Sequence, residues 1–202
     1  MFDASATQAN LNHVANAGLT VDGIAGPATF AALLARAGLN GSIPLGHDLG
    51  VALVAHLDAY DINTSLRVRH FLAQAACETF AFTVLKERGD AAYFQRYEGR
   101  RDLGNTQPGD GARFCGRGLL DTTGRYNYAL LAGLTGLDCI NHPELLEVPD
   151  NAVLAACIYW QHRNVNALAD ANDINGVTRA VNGGLNGLAD RMTFFDRLGV
   201  LQ

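Results

Sequence analysis

Residues 71–79, Phe-Leu-Ala-Gln-Ala-Ala-Cys-Glu-Thr, constrain the fold most: they form an apolar helical run that ends on a carboxylate. So apolar a helix belongs in a core, and carboxylates are uncommon there unless paired or functional. A second glutamate, Glu87, follows nine residues later. In one straight helix from Phe71 to Glu87 the two would stand about 13.5 Å apart on nearly opposite faces. Thr79, Phe80, Thr83 and Val84 weaken a helix at that point. The helix is therefore expected to end near Phe80 and the chain to turn back, bringing Glu78 and Glu87 towards one site.

The 202 residues fit one medium domain, or one domain with a small appendage. A hydrophobic content of 49% supplies a core, and a net charge of −5 gives no reason to expect a nucleic-acid partner. An acidic polymer would have to be held by local basic clusters such as Arg96, Arg100, Arg101, Arg113 and Arg117. Four scattered cysteines (Cys77, Cys115, Cys139, Cys157) show neither C-x-x-C spacing nor a histidine at metal-ligand distance. They are expected as reduced thiols, most of them buried, with no metal site and no cofactor. The first residues, Met-Phe-Asp-Ala-Ser, lack the basic start and apolar run of a signal peptide, and no stretch is long enough to span a bilayer. The expectation is a monomer made in a cytoplasm, without membrane insertion.

The pattern along the chain is mainly α. Asn10–Gly18 reads as a weak helix, 19–27 as a turn, and Pro27–Ala37 as a second helix stopped by Gly38. Residues 39–46 are the expected linker, which divides the chain into a small helical segment at 1–42 and a main domain at 43–202. Asp48–Tyr60 follows as a helix, then one capped by Asn63 or Thr64 that carries Leu66, Val68, Phe71, Leu72 and Ala75. Residues 88–118, rich in Gly, Arg, Asp and Asn with interspersed Tyr93, Phe94, Tyr97 and Phe114, read as a long loop with a short helix at most. Loops of that length inside a domain are usually functional. Val148–Arg163, Ile174–Asn182 and Leu188–Leu198 complete a helical C-terminal half.

Two carboxylates beside a polar, aromatic-containing wall are the minimal equipment for cleaving a glycosidic bond. Plainer readings stand beside this one. Glu78 suits a helix-terminal carboxylate paired with an arginine, and Glu87, between Lys86 and Arg88, suits a solvated salt bridge. His56, His70, His142 and His162 show no triad or metal spacing and read as structural. Cys77 lacks the partners of a cysteine nucleophile.

The run Phe71–Thr79 resembles the helix bearing the catalytic glutamate of family 19 glycoside hydrolases, the plant-type chitinases and related phage endolysins. Residues 97–111, Tyr-Glu-Gly-Arg-Arg-Asp-Leu-Gly-Asn-Thr-Gln-Pro-Gly-Asp-Gly, resemble the endolysin branch in particular. Phe114-Cys115-Gly116-Arg117-Gly118 through Tyr128 is similar to the family's Gly-Arg-Gly and Tyr-Asn-Tyr segment, and Ala180–Gly184 with Ala189-Asp190-Arg191 to its last motif. The resemblance covers roughly residues 48–200. It implies a lysozyme-like, chitinase-like helical catalytic domain in which Glu78 is the general acid, Glu87 the general base and Thr123 the hydroxyl that helps hold the attacking water. It further implies that Asn127 and Asn182 bind sugar amides and hydroxyls, that Tyr97, Arg117, Asp121 and Tyr126 contribute to substrate binding, and that Arg191 anchors the wall near the carboxylates. An apolar helix end would raise the pKa of Glu78, while Arg117 or Arg191 would keep the base ionised. This chain departs from the family at Cys77, where a histidine is usual, at Phe80, where a glycine is usual, and at Asp121, where a glutamine is usual.

Leu19–Leu33 resembles the core of a small peptidoglycan-binding module; a plain helical hairpin packed on the main domain is the other reading. Together these features imply an endolysin that hydrolyses β-1,4 bonds of bacterial peptidoglycan with inversion, made in a host cytoplasm and acting on the cell wall in the periplasm after release. The alternatives are a chitinase, or a non-catalytic sugar-binding protein on a decayed hydrolase fold.

Overall fold

The structure, a computed structural model, describes residues 2–38 and 43–202. Helix α1 (Ala4–Ala15) starts six residues before the expected helix because Asp3 caps it, its side chain accepting from Ala6 N. It ends at Asn16, which is left-handed. Helix α2 (Pro27–Ala37) has proline in its first turn and Gly38 as its cap, as the sequence predicts. Between them the buried Gln8 holds the 19–27 turn. Its Nε2 donates to Asp22 Oδ1 (2.8 Å) and Ile24 O (3.0 Å), and its Oε1 accepts from Asp22 N and Gly23 N (3.1 Å each).

Residues 39–42 of the expected linker lie outside the described residues. Residues 43–46 are the first turn of α3 (Ile43–His56) rather than linker, with a 3₁₀ turn at Asp58–Tyr60 completing the stretch read as one helix. At Gly50 of α3 a Cβ would sit 2.5 Å from Pro27 O, so glycine is what lets α2 and α3 pack this closely. Leu11, Phe30, Leu33 and Leu34 of the first two helices share one core with Leu49, Leu53, Phe71, Leu72, Val153 and Trp160.

Helix α4 (Ser65–Glu78) is the axis of that core. Thr64 caps it by accepting from Arg67 N (3.3 Å), and residues 70–76 are buried along its length. Phe71 meets Trp160 edge-on, the rings 5.3 Å apart. Around α4 stand α8 (Pro149–His162), α9 (Val165–Asp170), α10 (Ile174–Asn182) and α11 (Leu188–Arg197). These match the expected C-terminal helices to within a residue where they were predicted.

The 88–118 segment is more ordered than a loop with one short helix. It contains α5 (Ala91–Phe94), 3₁₀ turns at Gln95–Tyr97 and Arg101–Leu103, and α6 (Asp110–Arg113). Polar side chains take the place of a core here. Glu98 accepts from Gly109 N and Gly111 N, while buried Asn105 donates to Tyr97 O and accepts from Arg125 N. Buried Asp110 is paired with Arg125 at 2.6 Å. A small second core of Phe114, Tyr128, Leu131, Cys139 and Leu146 lies beneath, reached by α7 (Arg125–Thr135). Among the described residues no helix is long and apolar enough to cross a membrane. All four cysteines are free thiols, three of them buried.

The reversal after α4 occurs where its sequence foresees it. Thr79, buried at the helix end, donates from Oγ1 to Ala75 O (2.6 Å) and accepts from Phe82 N (2.9 Å). Phe80, Ala81 and Phe82 then all adopt left-handed backbone, φ 49°, 58° and 60°. Non-glycine residues in that region cost about 1–2 kcal/mol each, so the two Thr79 bonds hold a turn that would otherwise relax. Thr79→Val keeps the shape but leaves a buried N–H unpaired, which costs about 1–3 kcal/mol. Denaturant unfolding is expected to show that loss as a lower midpoint with an unchanged slope.

Candidate active site

Beyond the left-handed turn the chain runs extended through Lys86 and Glu87 and is clipped to the Gly116-Arg117-Gly118 segment. Glu87 N donates to Gly116 O (2.8 Å) and Gly118 N to Leu85 O (3.0 Å). Arg117 and Thr122 exchange backbone bonds of 3.2 and 2.8 Å across the next turn. These isolated bridges bring three stretches of chain to one edge of a cleft of about 620 Å³, whose lining includes Glu78, Glu87, Asp121, Thr123, Asn127 and Asn182. The two glutamates separated by the turn therefore do meet across one cavity.

Their surroundings differ. Glu78 forms an ion pair with Arg191, a buried guanidinium that also donates to Gln74 Oε1 and to Asn186 O (3.4 Å). Gln74 is one helical turn before Glu78 on the same face of α4, so helix and arginine form a single polar unit inside an apolar wall. Glu87 accepts from the hydroxyls of Tyr93 and Tyr97 (2.8 Å each) on one oxygen, and from Gly116 N (3.1 Å) on the other. Arg96 lies 3.6 Å from the same carboxylate and over both tyrosine rings, 4.0 and 4.8 Å from their centroids. Burial and the bond to Glu87 push the Tyr97 hydroxyl up to about 12, which keeps it a donor at neutral pH.

Asp121 is the third carboxyl. It is left-handed, φ 46°, and a Cβ on Gly116 would lie 3.1 Å from its Cγ, so glycine at 116 lets the segment fold over it. Burial pushes its pKa up to about 8, helped by the negative charges of Glu78 and Glu87 and opposed by Arg191. At neutral pH this carboxyl holds a proton. Thr123 donates to Asp121 O (2.8 Å), and Asn127 Nδ2 to Thr123 O (2.7 Å), which ties the lining together. Asn182 Nδ2 is buried without a hydrogen-bond partner among the described residues, a donor aimed at nothing in the chain itself.

Of the residues singled out in the sequence, Glu78, Glu87, Thr123, Tyr97, Asp121, Asn127 and Asn182 line this cleft, and Arg191 stands behind Glu78. Two stand elsewhere. Arg117 is buried and spent on structure, with Nε on Glu147 (2.8 Å) and its Nη1 on Arg113 O and Tyr128 OH. It reaches neither carboxylate, because Glu147, Arg113 O and Tyr128 OH hold its guanidinium. Tyr126 is 63% exposed and lines a neighbouring groove. Arg191 pairs with Glu78, and the arginine beside Glu87 is Arg96 rather than the expected Arg117 or Arg191. Cys77 is a half-buried thiol packed on Gly187, and burial raises its pKa, which leaves it a weak nucleophile. Sequence reasoning missed the Tyr93–Arg96 arm. Its signal was two tyrosines four residues apart flanking an arginine, beside a lone glutamate.

No family model matches the chain. A glycosyl hydrolase family 19 domain-containing protein of Haemophilus influenzae is 36% identical over 104 residues, 52% of this chain and 50% of that protein. The match thus spans about half the length of that curated relative. Among solved structures, chitinase C from Streptomyces griseus superposes with a TM-score of 0.67 at 22% identity, over 88% of this chain and 95% of that one. A class IV family 19 chitinase from Zea mays gives 0.61 at 18% identity, over 84% and 89%. The chain has the fold of the family 19 chitinases.

Asp121 sets a pH test. Its carboxyl ordinarily titrates at 3.8, so between that value and about 8 the folded protein holds a proton the unfolded chain has released. Stability is then lost as pH rises through that window and levels off above it. Unfolding free energies measured at pH 5 and pH 8 are expected to fall for the wild type, and to fall less for Asp121→Asn.

Proposed function

We propose that this protein is a glycoside hydrolase that cuts β-1,4 bonds between N-acetylated sugars of bacterial peptidoglycan, with inversion and as an endolysin. The observation that carries the reading is the meeting of Glu78 and Glu87 in one cleft, despite a sequence separation that a straight helix would hold apart. Inverting hydrolysis needs a carboxylic acid to protonate the leaving oxygen and a carboxylate on the opposite face to activate water. Glu87, gripped by two phenols and a backbone N–H, suits the base. Thr123 has its proton committed to Asp121 O, which leaves its oxygen to accept from that water. Glu78 suits the acid; the Arg191 contact must then open as the proton reaches it. The unpartnered Asn182 amide and Asn127 suit the sugar's acetamido and hydroxyl groups.

A specific observation favours a second assignment within the same chemistry. Asp121 is the cleft carboxyl that holds a proton at neutral pH, so it is the available donor where Glu78 stays paired. The family 19 relative and the chitinase structures support sugar-bond hydrolysis in general. The endolysin branch is supported by the sequence resemblance of the 97–111 segment.

Clearing of outer-membrane-stripped Gram-negative cells separates these readings. Glu78→Gln and Glu87→Gln are each expected to lower the rate by several powers of ten, and Asp121→Gln by only a few-fold. A full loss in Asp121→Gln with activity kept in Glu78→Gln would make Asp121 the acid. No clearing by folded wild type, with activity on chitin oligosaccharides, would make the protein a chitinase.

A further inference from the structure

A second groove of about 140 Å³ branches from the catalytic cleft. The two share Thr122, Asn127, Tyr159 and Arg163, so they are continuous. The branch runs between α7 and α8 over an apolar floor, with Leu131 and Ala155 buried and Ile158 half-buried. Its outer wall is the exposed ring of Tyr126.

Arg163 stands at the junction. Its guanidinium lies 5.0 Å from the Tyr159 ring centroid, and among the described residues no carboxylate lies within ion-pair distance of it. The other arginines of the cleft are engaged: Arg96 with Tyr97 and Glu87, Arg100 with Asp102. Tyr159 is itself fixed, its hydroxyl donating to Ala180 O and Val181 O. The branch point therefore presents one uncommitted positive charge on a rigid support.

A linear, uncharged glycan has no use for a side groove with a cation at its mouth. A peptidoglycan strand has one on every second sugar, a lactyl ether leading into a peptide of short aliphatic residues that bears free carboxylates. From the continuity of the grooves, the apolar floor and the charge of Arg163, we infer that the α7–α8 groove seats the lactyl-linked peptide stem of the substrate, with Arg163 pairing with a stem carboxylate. The inference rests on the glycosidase reading above and sharpens it to a stem-bearing strand.

The test compares kcat/KM on solubilised peptidoglycan strands with native stems and on the same strands after their stem carboxylates are converted to amides. Wild type is expected to prefer native strands by about tenfold, the scale of one charge-assisted hydrogen bond. Arg163→Ala should bring that ratio close to one, and Arg163→Lys should keep part of the preference. A wild-type ratio near one, or a ratio unchanged by Arg163→Ala, overturns the stem site. If wild type cuts neither strand, the peptidoglycan reading falls, and the stem site with it.

Discussion

Arg191 is a buried guanidinium, and much of the site depends on where its charge is answered. A charge inside a helical core is tolerated only when paired and hydrogen-bonded. Here Gln74 and Glu78, one turn apart on α4, supply the partners, and α11 supplies the arginine. The contact locks α4 and α11 together and fixes Glu78 at the cleft wall. It also gives the carboxylate at the end of an apolar helix a reason to be there whatever chemistry it performs. Stability and function meet at this residue, because removing the arginine would leave half-buried Glu78 without a counter-charge in a cleft it shares with Glu87 and Asp121.

The second constraint is backbone geometry. Three successive left-handed residues after Thr79 are strained, and strain of this kind persists only where the surroundings over-determine it. Here the helix end, the Thr79 hydroxyl and the clip between Glu87 and Gly116 do so together. Where a family 19 enzyme usually has glycine, this chain has Phe80, exposed and stacked beneath Arg88 at 5.2 Å. The turn keeps its path without the residue best suited to it, and it delivers Glu87 to the cleft that Glu78 lines.

Much of this was legible in the residues. The end of α4 followed from β-branched and aromatic residues after Glu78, and the cleft lining from the polarity of 116–128. What was not legible follows a pattern. Sequence identifies an arginine but not the direction of its side chain, and Arg117 pairs with Glu147, 30 residues away. Arg191 was placed near the carboxylates without a fixed partner: Glu78 suited an unspecified arginine, and Arg117 or Arg191 suited Glu87, since nothing local tells which of two glutamates a distant helix will meet. The order of residues 88–118 was underestimated because Glu98, Asn105 and Asp110 build it from polar contacts, which leave no hydrophobic period to read. Asp121 was recognised as a departure from glutamine; its retained proton comes from burial beside two carboxylates, which only the fold brings about.

The central claim is that Glu78 and Glu87 act from opposite sides of one sugar bond, with a water beside Glu87. The stereochemistry of the first product tests it most directly. Proton NMR during hydrolysis of purified peptidoglycan strands resolves the anomeric signal of each new reducing end before it mutarotates. The account predicts that the α-anomer appears first, inverted from the β-linkage. A β-anomer appearing first, or an absence of new reducing ends, would contradict it.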